Sequence, residues 1–257
     1  MRLWDVPGEV RVLGLSRVDL QDLFLFPYGS RVKRAVQKLF TSPGLAPAGR
    51  EYDPALLRRI SRALSEYDAA LTAWNCDPEF GRPGYLPNVR GYVRLALRAA
   101  HELGAPLLRV TMDHAAVGAN VDPVVDDLGV LTIDAERLGV RMALENHGHA
   151  ADVDQMLGIV QGVGSSWLGI CLDFGNFKPG RAEEDFERLA PHAIHAHAKS
   201  YSFDANGEET TIHYAHRLRV LKALGYEGMV SIEYEGDGDP ASGILQTKAL
   251  IERHWWA

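Results

Sequence analysis

Glu145 in MALENHGH, Asp173 in GICLDFGN, His197 in IHAHAKS and Glu233 in MVSIEYEG each close a short β-like run. Three carboxylates and one imidazole form a donor set for a single hard or borderline divalent cation. The gaps from 145 to 173, 173 to 197 and 197 to 233 each fit one strand–helix unit. Four consecutive parallel strands would therefore deliver the four side chains to one face. In a (β/α)8 barrel that face is where the strand C-termini converge and catalytic groups gather.

Alternation along the runs supports this pointing. With Glu145 facing inward, Ala143 lies one layer beneath it, as Cys171 lies beneath Asp173 and Ser231 beneath Glu233. These small residues leave room under an ion. The intervening Met142, Leu144, Ile170, Leu172, Val230 and Ile232 are apolar and suit packing against outer helices. Solvated strand-end acids are ordinary, but four unpaired polar groups turned inward on successive units would cost several kcal/mol each. A shared cation removes that cost.

The elements that must position these residues alternate along the whole chain. Seven strands read as Arg17–Gln21, Ala69–Trp74, Leu107–Thr111, Val140–Glu145, Leu168–Asp173, Ala193–Lys199 and Met229–Glu233. Helical spacing appears in Leu56, Ile60, Leu64 and Tyr67, in Val89, Val93, Leu97 and Ala100, and in Val124, Leu128 and Leu131. Strand–helix alternation predicts a parallel sheet. Leu-Gly-X recurs at residues 13, 103, 138 and 224, each just before a β-like run, and its glycine suits a left-handed helix cap. Asp53-Pro54, Asp122-Pro123 and Asp239-Pro240 read as N-cap acceptors ahead of a first-turn proline.

An eighth strand is missing from this count. Asp5-Val6-Pro7 with Val6, Val10 and Leu13 reads as a helix, leaving Met1–Trp4 as a reduced first strand; Val10–Leu15 is the competing choice. The chain is then not expected to close a regular eight-stranded barrel alone, and its flanking strands need partners or water. The long Phe24–Asp53 segment, with a short helix at Val32–Phe40, the Trp255-Trp256 tail or a second subunit could cover the gap. A homo-oligomer is the expected solution, since a symmetric contact satisfies both copies.

Composition narrows the function. With 257 residues, the chain matches one α/β barrel, and residues 1–257 are taken as a single domain. A net charge of −7 disfavours nucleic acid and anionic membrane as partners. Two cysteines, Cys76 and Cys171, exclude a disulfide framework or a cysteine-based zinc site. The N-terminal MRLWDVPGEVRV is too charged for a secretory leader and no run is long enough to span a bilayer, so the cytoplasm is the expected compartment.

The segments LENHG, LDFGN, HAHAK and SIEYEG resemble the four signature segments of the xylose isomerase-like sugar phosphate isomerase/epimerase superfamily. The likeness runs from about Asn75 to the C-terminus. It implies a xylose isomerase-like (β/α)8 TIM barrel, here lacking a regular first strand. It also implies one divalent ion, Mn²⁺ before Mg²⁺, Co²⁺ or Zn²⁺, on Glu145, Asp173, His197 and Glu233. In the ketose 3-epimerase branch the two glutamates, here Glu145 and Glu233, also move protons on opposite faces of the substrate carbon. One position departs from the pattern: Asn176 stands where those epimerases have a substrate-binding histidine. Asn can donate to a hydroxyl but cannot shuttle a proton.

These residues suit carbonyl chemistry. A cation chelated by a carbonyl and an adjacent hydroxyl acidifies the carbon between them, and two flanking carboxylates can move its proton. The resemblance implies a sugar, sugar acid or cyclitol as substrate, undergoing isomerisation or epimerisation through an enediolate. Lys199, one layer above His197, could face an enediolate or anionic group. Asn176, His147, Asn75 and Arg109 are further candidate substrate contacts. Asn146 could orient substrate or cap a loop, His195 reads as a buried supporting residue, and Glu235 competes with Glu233 as the ligand. A dehydratase on the same scaffold, of the 3-dehydroshikimate or keto-inositol type, is the first alternative, and a non-catalytic metal-binding subunit is another. An apurinic endonuclease would need a basic groove and more strand-end histidines than this acidic chain offers.

Overall fold

The computed structural model describes residues 2–25, 52–81, 89–118, 120–148 and 151–256. Its strands are β1 Arg17–Gln21, β2 Ala70–Asn75, β3 Leu107–Val110, β4 Arg141–Glu145, β5 Leu168–Asp173, β6 Ala193–Ser200 and β7 Met229–Tyr234. They form one sheet in sequence order with every pair parallel. Every strand read from the sequence is present, with no end moved by more than one residue. The sheet curls into a nearly closed barrel, and Asp19 of β1 reaches His195 and His197 of β6 across the interior.

Helices occupy the intervals: α1 Val6–Val12, α2 Pro54–Glu66, α3 Val89–Glu102, α4 His114–Val117, α5 Asp122–Leu138, α6 Val153–Val163, α7 Ala182–Leu189, α8 Tyr214–Ala223 and α9 Pro240–Trp255. The chain enters through a 3₁₀ turn at Leu3–Asp5 and α1, so Val10–Leu15 supplies no strand. Among the described residues, β1 and β7 each have a single strand neighbour. Of the Trp255-Trp256 tail, Trp256 is 80% exposed and Trp255 is partly buried against the main core. The expected Val32–Phe40 helix lies outside the described residues. None of the described helices is long and apolar enough to cross a membrane.

Local sequence explains the element ends. The four Leu-Gly-X glycines, Gly14, Gly104, Gly139 and Gly225, have φ of 71, 72, 66 and 66°. That is the left-handed turn needed to leave a helix and enter the next strand. Asp53 and Asp239 cap α2 and α9 by accepting from Ala55 and Ser242 backbone N–H groups. Asp122 departs from expectation: it is the first residue inside α5, and Asn120 accepts its N–H instead. Tyr67 also departs, since it follows α2 as the C-cap and stays 42% exposed, while Leu57, Ile60, Ala63 and Leu64 face the core.

Two apolar regions separate cleanly. The larger lies between sheet and helices and includes Leu108, Met142, Leu144, Ile170 and Leu172. The smaller fills the barrel interior with Ala73, Leu107, Ala143 and Cys171, against Ile194. Ala143 and Cys171 are the small residues that alternation placed beneath the ligands.

Candidate metal centre and active site

Glu145, Asp173, His197 and Glu233 each offer a ligand atom, and those atoms all lie within 4.8 Å of one another. His197 Nδ1 is 3.0 Å from Glu145 Oε1 and 3.4 Å from Glu233 Oε2. Glu235 stands outside this group, with its carboxylate 3.6 Å from Lys199 Nζ. The ladders explain the convergence. Asp173 is level with His197 on adjacent strands, and Lys199 is level with Glu233.

The LDFGN segment is built to present one carboxylate oxygen. Asp173 Oδ1 accepts the backbone N–H groups of Gly175 and Asn176 at 2.6 and 3.0 Å. Its Oδ2 has no hydrogen-bond partner and lies 3.2 Å from the Lys199 ammonium. Asn146 clamps the Asp173 backbone from β4, accepting its N–H at 2.7 Å and donating to its carbonyl at 2.9 Å. Of the two roles open for Asn146, the structure shows the structural one. Behind the ligand, fully buried Phe174 packs edge-on against Phe186 and Tyr214, each at 5.4 Å. Gly175 is required by proximity, since a Cβ there would stand 2.6 Å from Lys199 Cδ.

Lys199 is no rim lysine: it is 4% exposed and held beside Asp173 and Glu233. Arg109 is buried with its guanidinium committed to Gln21 at 2.6 Å, to Asp77 and to the Cys76 carbonyl. Its Nε lies 3.2 Å from Glu145 Oε2 without the alignment of a hydrogen bond. Asn75 and Asn176 are buried, and Asn75 Oδ1 and Asn176 Nδ2 lack partners. His147 is exposed, with Nδ1 3.4 Å from Glu145 Oε2. His195 is buried beneath His197 and contacts Asp19 and Ser231.

Electrostatics fit an ion at the centre. Burial raises the Asp173 carboxyl to about 7, with Lys199 opposing and the Glu233 and Glu145 charges adding to the rise. Burial also works against the charged forms of Glu145 and Glu233, yet Arg109 and His197 respectively hold them low, Glu233 at about 2. Glu145 Oε2, Asp173 Oδ2 and Glu233 Oε2 are all buried without a hydrogen-bond partner. Each has a cationic or imidazole neighbour within 3.4 Å but no hydrogen bond, an arrangement that a divalent cation would complete. The donor set of three carboxylates and an imidazole fits Mn²⁺, Mg²⁺ or Zn²⁺.

The description that matches the sequence, xylose isomerase-like TIM barrel, covers residues 34–254. The chain belongs to this family. A curated relative, the 3'-dehydrocarminate deglycosidase alpha subunit of a Microbacterium species, is 34% identical over 132 residues, covering 49% of this chain and 34% of that protein. Alignments span less than half the length of the curated relatives. A xylose isomerase-like TIM barrel protein from Mycobacterium smegmatis in complex with magnesium has a TM-score of 0.70 at 15% identity, over 98% of this chain and 88% of that one. The 3-keto-D-glucoside 4-epimerase of E. coli scores 0.63 at 18% identity, over 93% and 99% of the two chains. At such identities these structures show the shared fold.

Alternation also marks a residue that was not singled out from sequence. In RVDLQ, Arg17, Asp19 and Gln21 share one face, and Asp19 and Gln21 join the interior polar network. Asp77, reached from both Gln21 and Arg109, follows β2 in a loop and carried no periodic signal.

Proposed function

We propose that this chain is a divalent-metal-dependent enzyme that moves a proton at a carbon beside the carbonyl of a keto-sugar, as an isomerase or epimerase. The observation that carries this reading is the group of four candidate ligands, three buried and Glu233 partly open, in which both glutamates keep an oxygen without a hydrogen-bond partner. An ion on Glu145, Asp173, His197 and Glu233 would act as a Lewis acid toward the substrate carbonyl. Mn²⁺ is our choice of working ion. Glu145 accepts the proton from the acidified carbon, and Glu233, on the more open side, delivers one to the other face or to a neighbouring carbon. The Lys199 ammonium offsets negative charge developing on the enediolate oxygen. Asn176 donates to a sugar hydroxyl, Asn75 accepts from one, and His147 lines the approach. Arg109 acts through Glu145, which it holds charged.

Two of the similar proteins sharpen the substrate class. One acts on a 3'-dehydro glycoside and the other on a 3-keto-glucoside. A ketone at C3 acidifies the hydrogens at both C2 and C4. Proton removal and return at C4 is epimerisation. Proton removal at C2 with loss of the C1 substituent is elimination: the C2–H pair becomes the C1=C2 bond and the C1–substituent pair leaves with the aglycone. The deglycosidase relative favours this lyase outcome as the second reading.

Incubation of the Mn²⁺-loaded protein with 3-keto-glycosides, ketoses and cyclic ketones in D₂O tests both. Deuterium at C4 or beside the ketose carbonyl supports the first reading, and release of aglycone supports the second. Neither event across the panel removes the catalytic proposal. Assembly of like chains along the outer edges of β1 and β7 belongs to the same proposal, and a monomer by light scattering would remove it.

A further inference from the structure

The metal ligand His197 touches acidic groups with both ring nitrogens. Its Nδ1 faces Glu145 and Glu233, whereas its Nε2 is 3.2 Å from Asp19 Oδ2. The same Asp19 oxygen lies 2.7 Å from His195 Nε2, and Asp19 Oδ1 accepts the Thr72 hydroxyl. Ser231 Oγ approaches His195 Nε2 at 3.3 Å. Asp19 thus ties the first strand to the sixth through the barrel interior, over a sequence distance of 178 residues.

Two ladder irregularities surround this contact. The β1–β2 register slips between Val18 and Asp19, so that Val18 pairs with Leu71 and Asp19 with Ala73, leaving Thr72 as the extra residue. The β5–β6 register slips between Ile170 and Cys171, leaving Ile194 as the extra residue just before His195. Bulges break pairing locally and recur beside active sites, where they re-aim a side chain. Here one supplies the Thr72 hydroxyl to Asp19, and the other immediately precedes the two histidines that Asp19 contacts.

We propose that Asp19 is a positioning residue for the metal centre: it receives the Nε2–H of His197, fixing the ring orientation and tautomer that leave Nδ1 free for a divalent ion. This inference rests on the metal-site reading above. A ligating histidine generally gives its other N–H to a carboxylate or carbonyl, and loss of that partner lowers metal affinity by about 10–100-fold. Cys171, His195 and His197 form a second group of candidate ligand atoms. In it, however, His195 Nε2 is already in hydrogen-bond contact with Asp19, and burial raises the Cys171 thiol to about 12. Asp19 as a hydrogen-bond acceptor predicts one ion per chain, and a second ion in that group would instead consume His197 Nε2.

The test uses Zn²⁺ on the full chain. Wild type is expected to bind one Zn²⁺, with ¹H–¹⁵N correlation of the imidazoles showing His197 protonated at Nε2 and ligated at Nδ1. D19N, which keeps the size of the side chain, is expected to bind at least about 10-fold more weakly by chelator competition. T72V, which spares the His197 contact, is expected to weaken binding less. Protonation at Nδ1, two Zn²⁺ per chain, or wild-type affinity in D19N while E145Q is weakened each overturn the role of Asp19 alone. Absence of Zn²⁺ binding in wild type, or equal binding in E145Q and D173N, overturns the metal-site reading and this inference together. Should D19N not fold, the wild-type imidazole spectrum still decides the question.

Discussion

The β4–β6 wall and the β7 edge supply the same cluster under different conditions. β5 is buried at every position and is paired on both sides, and the Glu145, Asp173 and His197 side chains are 2, 0 and 7% exposed. No position of β7 is buried, it has one strand neighbour among the described residues, and its Glu233 side chain is 36% exposed. Three of the candidate ligands are therefore held in a buried wall, while the fourth is partly open to solvent. Such a division suits a site whose ion must stay in place while one carboxylate handles protons near the opening.

The largest expected effect lies in turnover. Glu145→Gln and Glu233→Gln should each lower kcat by roughly 10²-fold or more on the substrate found in the D₂O panel, the usual scale for acid–base groups. Mn²⁺ affinity, measured by calorimetry, should fall further for Glu145→Gln than for Glu233→Gln. Equal losses of affinity would show that the wall and the edge do not differ as ligand platforms.

Asn146→Ala should leave every ligand in place yet weaken Mn²⁺ binding by about 10-fold, because the Asp173 backbone loses both of its clamping bonds. Unchanged affinity would mean that the Gly175 and Asn176 N–H groups suffice to hold Asp173. Gly175→Ala should displace Lys199 and lower kcat severalfold with a smaller change in KM, the signature of an interaction made in the transition state. A KM effect alone would move Lys199 from the chemical step to substrate binding.

The smallest signal is linked to pH. In ion-free protein the Asp173 carboxyl is raised from 3.8 to about 7, so between those values the folded chain holds a proton that the unfolded chain releases. Its contribution to stability consequently falls as pH rises through that window. Asp173→Asn removes this dependence, and its Tm in EDTA should gain on wild type from pH 4 to 7. A constant difference across that range would show that Asp173 is not strained by its neighbours. Mn²⁺ should restore wild type above pH 7.

The clustering of Glu145, Asp173, His197 and Glu233 was legible because each lies in the C-terminal half of a strand with clear alternation, where a shift of one residue would turn a charge into the apolar layer. Strand and helix limits followed from the same periodicity and from glycines that must take positive φ. What escaped was long-range. Nothing local in RVDLQ says that Asp19 meets a strand 178 residues away. Neither bulge leaves a mark in the sequence, because Thr72 and Ile194 are ordinary strand residues. Asn146 read equally well as a substrate contact, since its role depends on the Asp173 backbone one strand over. Asp122 misled because Asp-Pro looks alike whether the helix begins at the acid or after it.

The turn at Asp173 also bears on ion selectivity. With Oδ1 committed to two backbone N–H groups, Asp173 has one oxygen left to offer a cation. Calcium favours six to eight oxygen ligands, often with bidentate carboxylates, whereas smaller ions accept fewer contacts in stricter geometry. A carboxylate restricted in this way disfavours the larger ion by construction. On the proposed metal site, two hydrogen bonds that look like loop stabilisation would also act as a size filter, in a solvent that can contain both kinds of cation.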